Sequence, residues 1–281
     1  MPSSNSAPYT GPQEIKYLFI DAGCLRAILE NASKTYFNDN PIELDYYKLK
    51  GRFTKVFYYD CLKPQQADES NEDYESRIDP QRHLFNQIRL LDGYHVYEGV
   101  TRRRRRVIEQ KQVDVMIAVD MLTHTFMRNM HQATLFANDL DFKPLIDALV
   151  QNGMYIELWH QPGYTNEELV FSADSQKPIT IQTIYKWSTQ KFKARYKIPT
   201  IRDNQNKPNG FVKVRDLYNR SGTPVELFER IGTFVDRDED QYHITFPEQE
   251  SPHNKLVSFN DEKLLTIFVK EVFPELELEL P

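Results

Sequence analysis

The sequence predicts an α/β chain whose mostly parallel sheet is covered by helices on both faces, followed by a small α+β domain. Three observations lead there. From Ile15 to Trp159, short apolar runs of strand length alternate with stretches of helical periodicity. Two of these runs stop abruptly at aspartates, Asp21 and Asp139. After about residue 175 the alternation fades into shorter patterns interrupted by Gly222, Pro224 and Gly232.

Residues 1–13 are small, polar and proline-containing, and are expected to form a disordered tail. The first strand is Ile15 to Ile20; Leu25, Ile28, Leu29 and Ala32 then recur at helical spacing. Thr54 to Tyr59 gives a second strand, followed by a polar stretch, Asp60 to Glu75, read as a surface loop. Leu84, Ile88 and Leu91 mark a helix ending near Gly93, and His95 to Val100 a third strand. Lys111 to Met130 is the longest helical pattern, with Val115, Ala118, Val119, Leu122 and Phe126 as its apolar stripe. A fourth strand, Ala133 to Ala137, leads to a helix from about Phe142 to Asn152 that Gly153 closes as a C-cap. Met154 to Trp159 is the fifth strand. Beyond it, Thr180 to Phe192 fits one more helix, Tyr242 to Phe246 alternates as a half-exposed strand does, and Glu262 to Phe273 is a last amphipathic helix. The expected domains are therefore 14–175, a linker with a helix at 176–197, and an accessory domain at 198–281.

The formal net charge of −6 argues against a molecule held on nucleic acid by bulk electrostatics, so any such contact must be local. No apolar run approaches the roughly 18 to 20 residues of a membrane span. The opening Met1-Pro-Ser-Ser lacks the charged-then-apolar layout of an export signal, and a cytoplasmic location is expected. Cys24 and Cys61 form neither a CxxC pair nor a zinc spacing, and read as reduced thiols.

Several familiar chemistries lack their residues. None of the ten glycines falls in a GxGxxG or GxxxxGK[ST] arrangement, so the phosphate-cradling backbone of dinucleotide and P-loop sites is absent. There is no GxSxG turn, and the seven histidines never reach HExxH spacing. A phosphoaspartyl hydrolase wants a second acid two residues after the first, where this chain has Gly23.

What remains is aspartate. Asp21 follows the first strand and Asp139 and Asp141 the fourth, so adjacent parallel strands would bring all three to one carboxyl edge, where open α/β sheets bind ligands. Asp114 begins the helix before the fourth strand and can face the same edge. Asp120, six residues on, is turned a net 240° or so from it and shares a cation only if the helix starts after Asp114, or acts from behind the ligands. Oxygen ligands without histidine or thiolate favour Mg²⁺ or Mn²⁺ over zinc. Such ions activate water and stabilise charge on a phosphodiester; without them the carboxylates repel and one holds a raised pKa. Each aspartate alone is as readily a helix cap, Asp139 or Asp141 for the helix from Phe142; capping does not account for five acids at one rim.

These residues together resemble the NYN domain, a branch of the PIN-like nucleases. The resemblance rests on Phe19-Ile-Asp21 before a helix, Lys111-Gln-Val-Asp114 with Asp120-Met-Leu beyond it, and Asn138-Asp139-Leu-Asp141-Phe142 with Pro144-Leu145 and Gly153. It spans about residues 15–160. It implies a Rossmann-like PIN fold, a divalent metal held by Asp21, Asp114, Asp139 and Asp141, and cleavage of RNA; Asp120 and Lys111 match the KxVDxxxxxD stretch of one bacterial subgroup. Two departures stand out. Cys24 occupies the position where many members have asparagine, and Ala137-Asn138 replaces Ser-Gly before Asp139, so that Asn138 could offer a compensating amide oxygen.

Arg102, Arg103, Arg104, Arg105 and Arg106 lie between the third strand and the acid-bearing helix, and beside an acidic pocket they are expected to hold RNA phosphates, the alternative being a solvated loop. Lys186-Trp187, Lys191-Phe192-Lys193 and Arg195-Tyr196-Lys197 interleave bases with aromatics, either as a single-strand surface or with the aromatics packed under a linker. The reading is a Mg²⁺- or Mn²⁺-dependent endoribonuclease with RNA as partner, no membrane association, and a C-terminal domain that selects RNA, recruits a protein or self-associates. Two alternatives stand beside it: a PIN-like module that has lost catalysis and binds RNA or protein, and a metal-dependent phosphohydrolase acting on small phosphoesters.

Overall fold

The computed structural model describes residues 14–66, 68–99, 102–104, 107–109, 113–204, 211–218, 224–230, 241–247 and 254–274. The tail expected at residues 1–13 lies outside them, as do Lys111, Arg105 and Arg106. Two compact units divide the chain, Met1–Ile28 with Asp45–Pro178, and Leu29–Leu44 with Ile179–Pro281.

The first unit runs β1 (Lys16–Asp21), α1 (Ala22–Tyr36, whose second half belongs to the other unit), α2 (Tyr46–Lys50), β2 (Lys55–Cys61), α3 (Asn71–Arg89), β3 (Tyr94–Gly99), β4 (Arg102–Arg104), β5 (Val107–Glu109), α4 (Val113–Phe126), β6 (Gln132–Phe136), α5 (Lys143–Gln151), β7 (Tyr155–His160), α6 (Glu167–Ser172) and β8 (Ser175–Pro178). Its six-stranded sheet has the order β3-β2-β1-β6-β7-β8, and every neighbouring pair is parallel. The strand order turns back at β1, which pairs with β2 on one side and β6 on the other. Helices cover both faces of β1, so all of Tyr17, Leu18, Phe19 and Ile20 are buried, each side chain worth about 1.5–3 kcal/mol. On one face Phe19 stacks on Phe57 at 4.9 Å, Phe57 on His95 at 5.1 Å, and Tyr59 on Tyr97 at 5.1 Å, a cross-strand aromatic ladder that fixes the register.

Several elements differ from expectation. The helix α4 buries Val113, Ile117, Met121 and Thr125, whereas Val115, Val119 and Phe126 of the expected stripe are exposed. The segment is apolar nearly all round, so two stripes compete at helical spacing and packing against the sheet decides. The polar stretch read as a loop to Glu75 already contains the start of α3, capped by Ser70, whose hydroxyl accepts the Asp73 N–H at 3.1 Å. Only Ile78, Phe85 and Ile88 of α3 are buried, too few to show in a largely solvated helix. The edge strand β8 has no apolar core residue and ends in Pro178, features of a sheet edge that hide it from hydrophobic patterning. The arginine run, for which a solvated loop is the alternative reading, has its first three residues in β4, paired antiparallel with β5 from Arg102 opposite Glu109 to Arg104 opposite Val107.

The second unit contains α7 (Ile181–Trp187), α8 (Gln190–Arg195), β9 (Thr200–Asn204), β10 (Phe211–Tyr218), β11 (Pro224–Arg230), β12 (Tyr242–Pro247), β13 (Asn254–Phe259) and α9 (Glu262–Val272). The strands form an antiparallel sheet in the order β10-β11-β12-β13-β9. The expected single helix from Thr180 to Phe192 is broken in two because Thr189 caps α8, accepting the Phe192 N–H at 3.1 Å. Trp187 and Phe192 are buried, so the basic and aromatic residues there part company: these two rings pack inside while Lys186 and Lys191 stay exposed. Among the described residues no helix is long and apolar enough to cross a membrane.

Candidate functional site

Two acidic turns leave the sheet side by side. Ile20 of β1 is in register with Phe136 of β6, so Asp21 and the turn from Ala137 to Asp141 emerge together at the carboxyl edge, where the strand order reverses.

Asp21 is partly buried. Its Oδ1 accepts the Gly23 N–H at 2.8 Å, and the Cys24 N–H also serves the carboxylate, so it caps α1. A Cβ on residue 23 would lie 3.0 Å from that oxygen, which is why glycine suits the position. Burial pushes the Asp21 carboxyl up to about 6 against these donors; the charge of Asp114 adds to the rise and Arg26 opposes it. Cys24 is buried beside it. Burial first, then the charge of Asp21, drives its thiol far above the ordinary range, so beside the bare carboxylates it is neutral.

Asp114 lies in the first turn of α4, where the helix dipole favours a negative charge. Although solvent reaches the residue, partial burial raises its pKa, and the charges of Asp139 and Asp141 raise it further. Asp139 and Asp141 are exposed, and Asp139 Oδ1 accepts the Asp141 N–H at 3.0 Å to cap a single 3₁₀ turn, Leu140–Phe142. The four carboxylates thus form an electrostatic chain, Asp21 to Asp114 and Asp114 to Asp139 and Asp141.

Asp120 is engaged by a neighbouring strand: it accepts the Tyr59 hydroxyl at 2.7 Å, and its charge acts on His124. The amide oxygen of Asn138 does not make good the missing asparagine: it accepts the Gln161 N–H at 2.9 Å and the Thr165 hydroxyl at 2.8 Å, fastening the loop after β7. Lys111, Arg105 and Arg106 lie outside the described residues, and of Arg102, Arg103 and Arg104 the strand alone is described.

Sequence reasoning missed a fifth acid at the edge. Asp60, at 1% exposure, pairs with the Arg26 guanidinium and accepts Gln81 Nε2 at 3.0 Å and the Cys61 N–H at 2.7 Å. An apolar strand ending in an acid was its signal, as for Asp21. Arg26 so anchored is the cation that Asp21 feels.

Among the described residues no three His, Cys, Asp or Glu side chains stand close enough to grip a metal ion as they are. The donor chemistry nevertheless fits a hard divalent cation: four carboxylates and a neutral thiol, with Asp21 and Asp114 raised first by burial and then by the charge of neighbouring carboxylates.

A family model described as the NYN domain matches residues 15–181. Among solved structures, a Vibrio parahaemolyticus protein, described as of unknown function, is 17% identical, covering 64% of this chain and 100% of its own, with a TM-score of 0.45. Among curated proteins none matches.

Proposed function

The chain belongs to the NYN domain family and carries its PIN-like nuclease fold, and from that premise we propose that it is a metal-dependent endoribonuclease acting at the Asp21, Asp114, Asp139 and Asp141 carboxylates. The observation that carries the proposal is the emergence of Asp21 and the Asp139–Asp141 turn side by side at the edge where the strand order reverses, with Asp114 near enough for its charge to act on Asp21. Mg²⁺ or Mn²⁺ held by these four would supply an activated water and a counter-charge for the phosphodiester.

The protein's own groups do the rest. Backbone N–H donors from Gly23 and Cys24 hold Asp21 in orientation, and the N–H of Asp141 holds Asp139. Arg26, fixed by buried Asp60, partly offsets the charge of Asp21. Arg102–Arg106 hold phosphates of the bound RNA, overcoming the repulsion between RNA and the acidic rim. The second unit sets target or assembly.

Cys24, in place of the family's usual asparagine, and the engaged Asn138 favour a second reading, a PIN-like module that binds RNA without cutting it. One assay separates the two. Single-stranded RNA and a small phosphoester are incubated with the full chain in Mn²⁺, Mg²⁺ or EDTA, beside Asp139→Asn. Metal-dependent RNA cleavage that the variant loses is the expected result. Binding without cleavage transfers the case to the second reading, and turnover of the phosphoester alone makes the protein a phosphohydrolase.

A further inference from the structure

Resting on the RNA-directed reading of the acidic edge, we infer that Tyr164 is a stacking platform for one nucleobase of a single-stranded RNA. The loop after β7 reads Gln161-Pro162-Gly163-Tyr164-Thr165. Gln161 C=O accepts the Tyr164 N–H at 3.3 Å, and Gly163 sits at φ +75°, the left-handed backbone that the third residue of a type II turn requires; Pro162 presets the residue before it. Both ends of the turn are pinned to one atom. Asn138 Oδ1 accepts the Gln161 N–H and the Thr165 hydroxyl, whose single proton is shared with the Gln161 carbonyl 3.0 Å away.

The consequence is a stiff loop with an exposed ring on it. Tyr164 is 68% exposed. A lone exposed tyrosine is ordinary, but this one is carried by a turn tied to the residue that directly precedes Asp139, at the carboxyl end of the strand beside β6. It is therefore held at the same edge as the four carboxylates. A ring carried on a backbone already fixed leaves no loop to order on binding, and stacking carries no charge, so it attracts RNA where the acids repel it. The partner must offer a free base face. An unstacked base of a single strand does so, whereas a duplex keeps its faces paired and stacked.

The test measures binding of the full chain in EDTA, where nothing is cut, to a single-stranded RNA, to the same strand made abasic, and to a duplex. Tyr164→Ala is expected to weaken single-strand binding by roughly 5- to 100-fold, while Tyr164→Phe keeps it. The abasic strand should bind wild type and Tyr164→Ala alike, and Tyr164→Trp should lose fluorescence when the single strand binds. In Mn²⁺ the same loss should appear in KM, with kcat little changed. Tyr164→Ala binding within about twofold of wild type, equal wild-type affinity for intact and abasic strands, or no single-strand binding at all overturns the inference. RNA bound through Tyr164 but never cut leaves stacking standing and removes the nuclease reading; RNA cut with KM unmoved in Tyr164→Ala removes stacking alone.

Discussion

Asp21→Asn should make the metal-free protein more stable at pH 8. The Asp21 carboxyl rises from 3.8 to about 6 on folding, chiefly through burial. Below about pH 4 the group is protonated folded and unfolded alike. Between about 4 and 6 the folded state keeps a proton that the unfolded chain has given up, so the contribution of this group falls as pH rises through that window and is fully lost above it. A shift of about two units corresponds to about 3 kcal/mol, at about 1.4 kcal/mol per unit; because water still reaches the carboxylate, about 1–2 kcal/mol is the realistic figure. Asparagine removes the charge but keeps an oxygen to cap α1. In EDTA at pH 8 the variant should melt roughly 2–8 °C above wild type, and the gap should close towards pH 4. Millimolar Mn²⁺ should reverse the order, because an ion bound only by the folded wild type stabilises it by mass action. Calorimetry over a pH series reads all three. A variant no more stable than wild type at pH 8 in EDTA refutes the argument that this carboxylate is held charged at a cost.

Within α4, Ile117→Ala should cost about 2–5 kcal/mol and Val119→Ser less than about 0.5 kcal/mol in denaturant titrations, since Ile117 is fully buried and Val119 is 55% exposed. Arg26→Gln should destabilise the protein by about 2–4 kcal/mol, because Asp60 is left buried without its cation; adding Asp60→Asn should recover part of the loss, and no recovery would mean that the pair matters through shape alone. Replacing Arg102–Arg106 with glutamine should weaken single-stranded RNA binding and flatten its salt dependence by about 0.7 in log–log slope for each phosphate contact removed, with the melting temperature unchanged.

The parallel sheet was legible because its inner strands are continuous apolar runs, the mark of strands buried on both faces. Ile15–Ile20, Thr54–Tyr59, Ala133–Ala137 and Met154–Trp159 match β1, β2, β6 and β7 within a residue or two at each end. Illegible elements were those that bury little: β8 at the edge, α6, and the first half of α3. The buried side of α4 was misread for the opposite reason, an excess of apolar residues. At the site, Asp21, Asp114, Asp139 and Asp141 stood out because acids interrupt or follow apolar runs. The engagements of Asp120 with Tyr59 and of Asn138 with the 161–165 loop depend on partners 61, 23 and 27 residues away, which no local pattern reveals.

Capping and metal binding need not compete for the same aspartates. A carboxylate offers about four lone-pair sites. Asp21 gives Oδ1 to the Gly23 N–H, and Asp139 gives Oδ1 to the Asp141 N–H. In each case these bonds leave lone pairs for another partner and fix the side chain's direction in advance. The same donors oppose the rise in the Asp21 pKa that burial and Asp114 impose, favouring the charged form that a cation needs. The caps that explain each aspartate singly are therefore also what would hold the carboxylates ready as a group. Gly23 bears on this directly: Gly23→Ala should push the Asp21 carboxylate off the helix start, since the added methyl would lie 3.0 Å from its Oδ1. The expected outcome is weaker Mn²⁺ stabilisation in a protein that still folds; Mn²⁺ stabilisation equal to wild type would show that the cap does not orient a ligand.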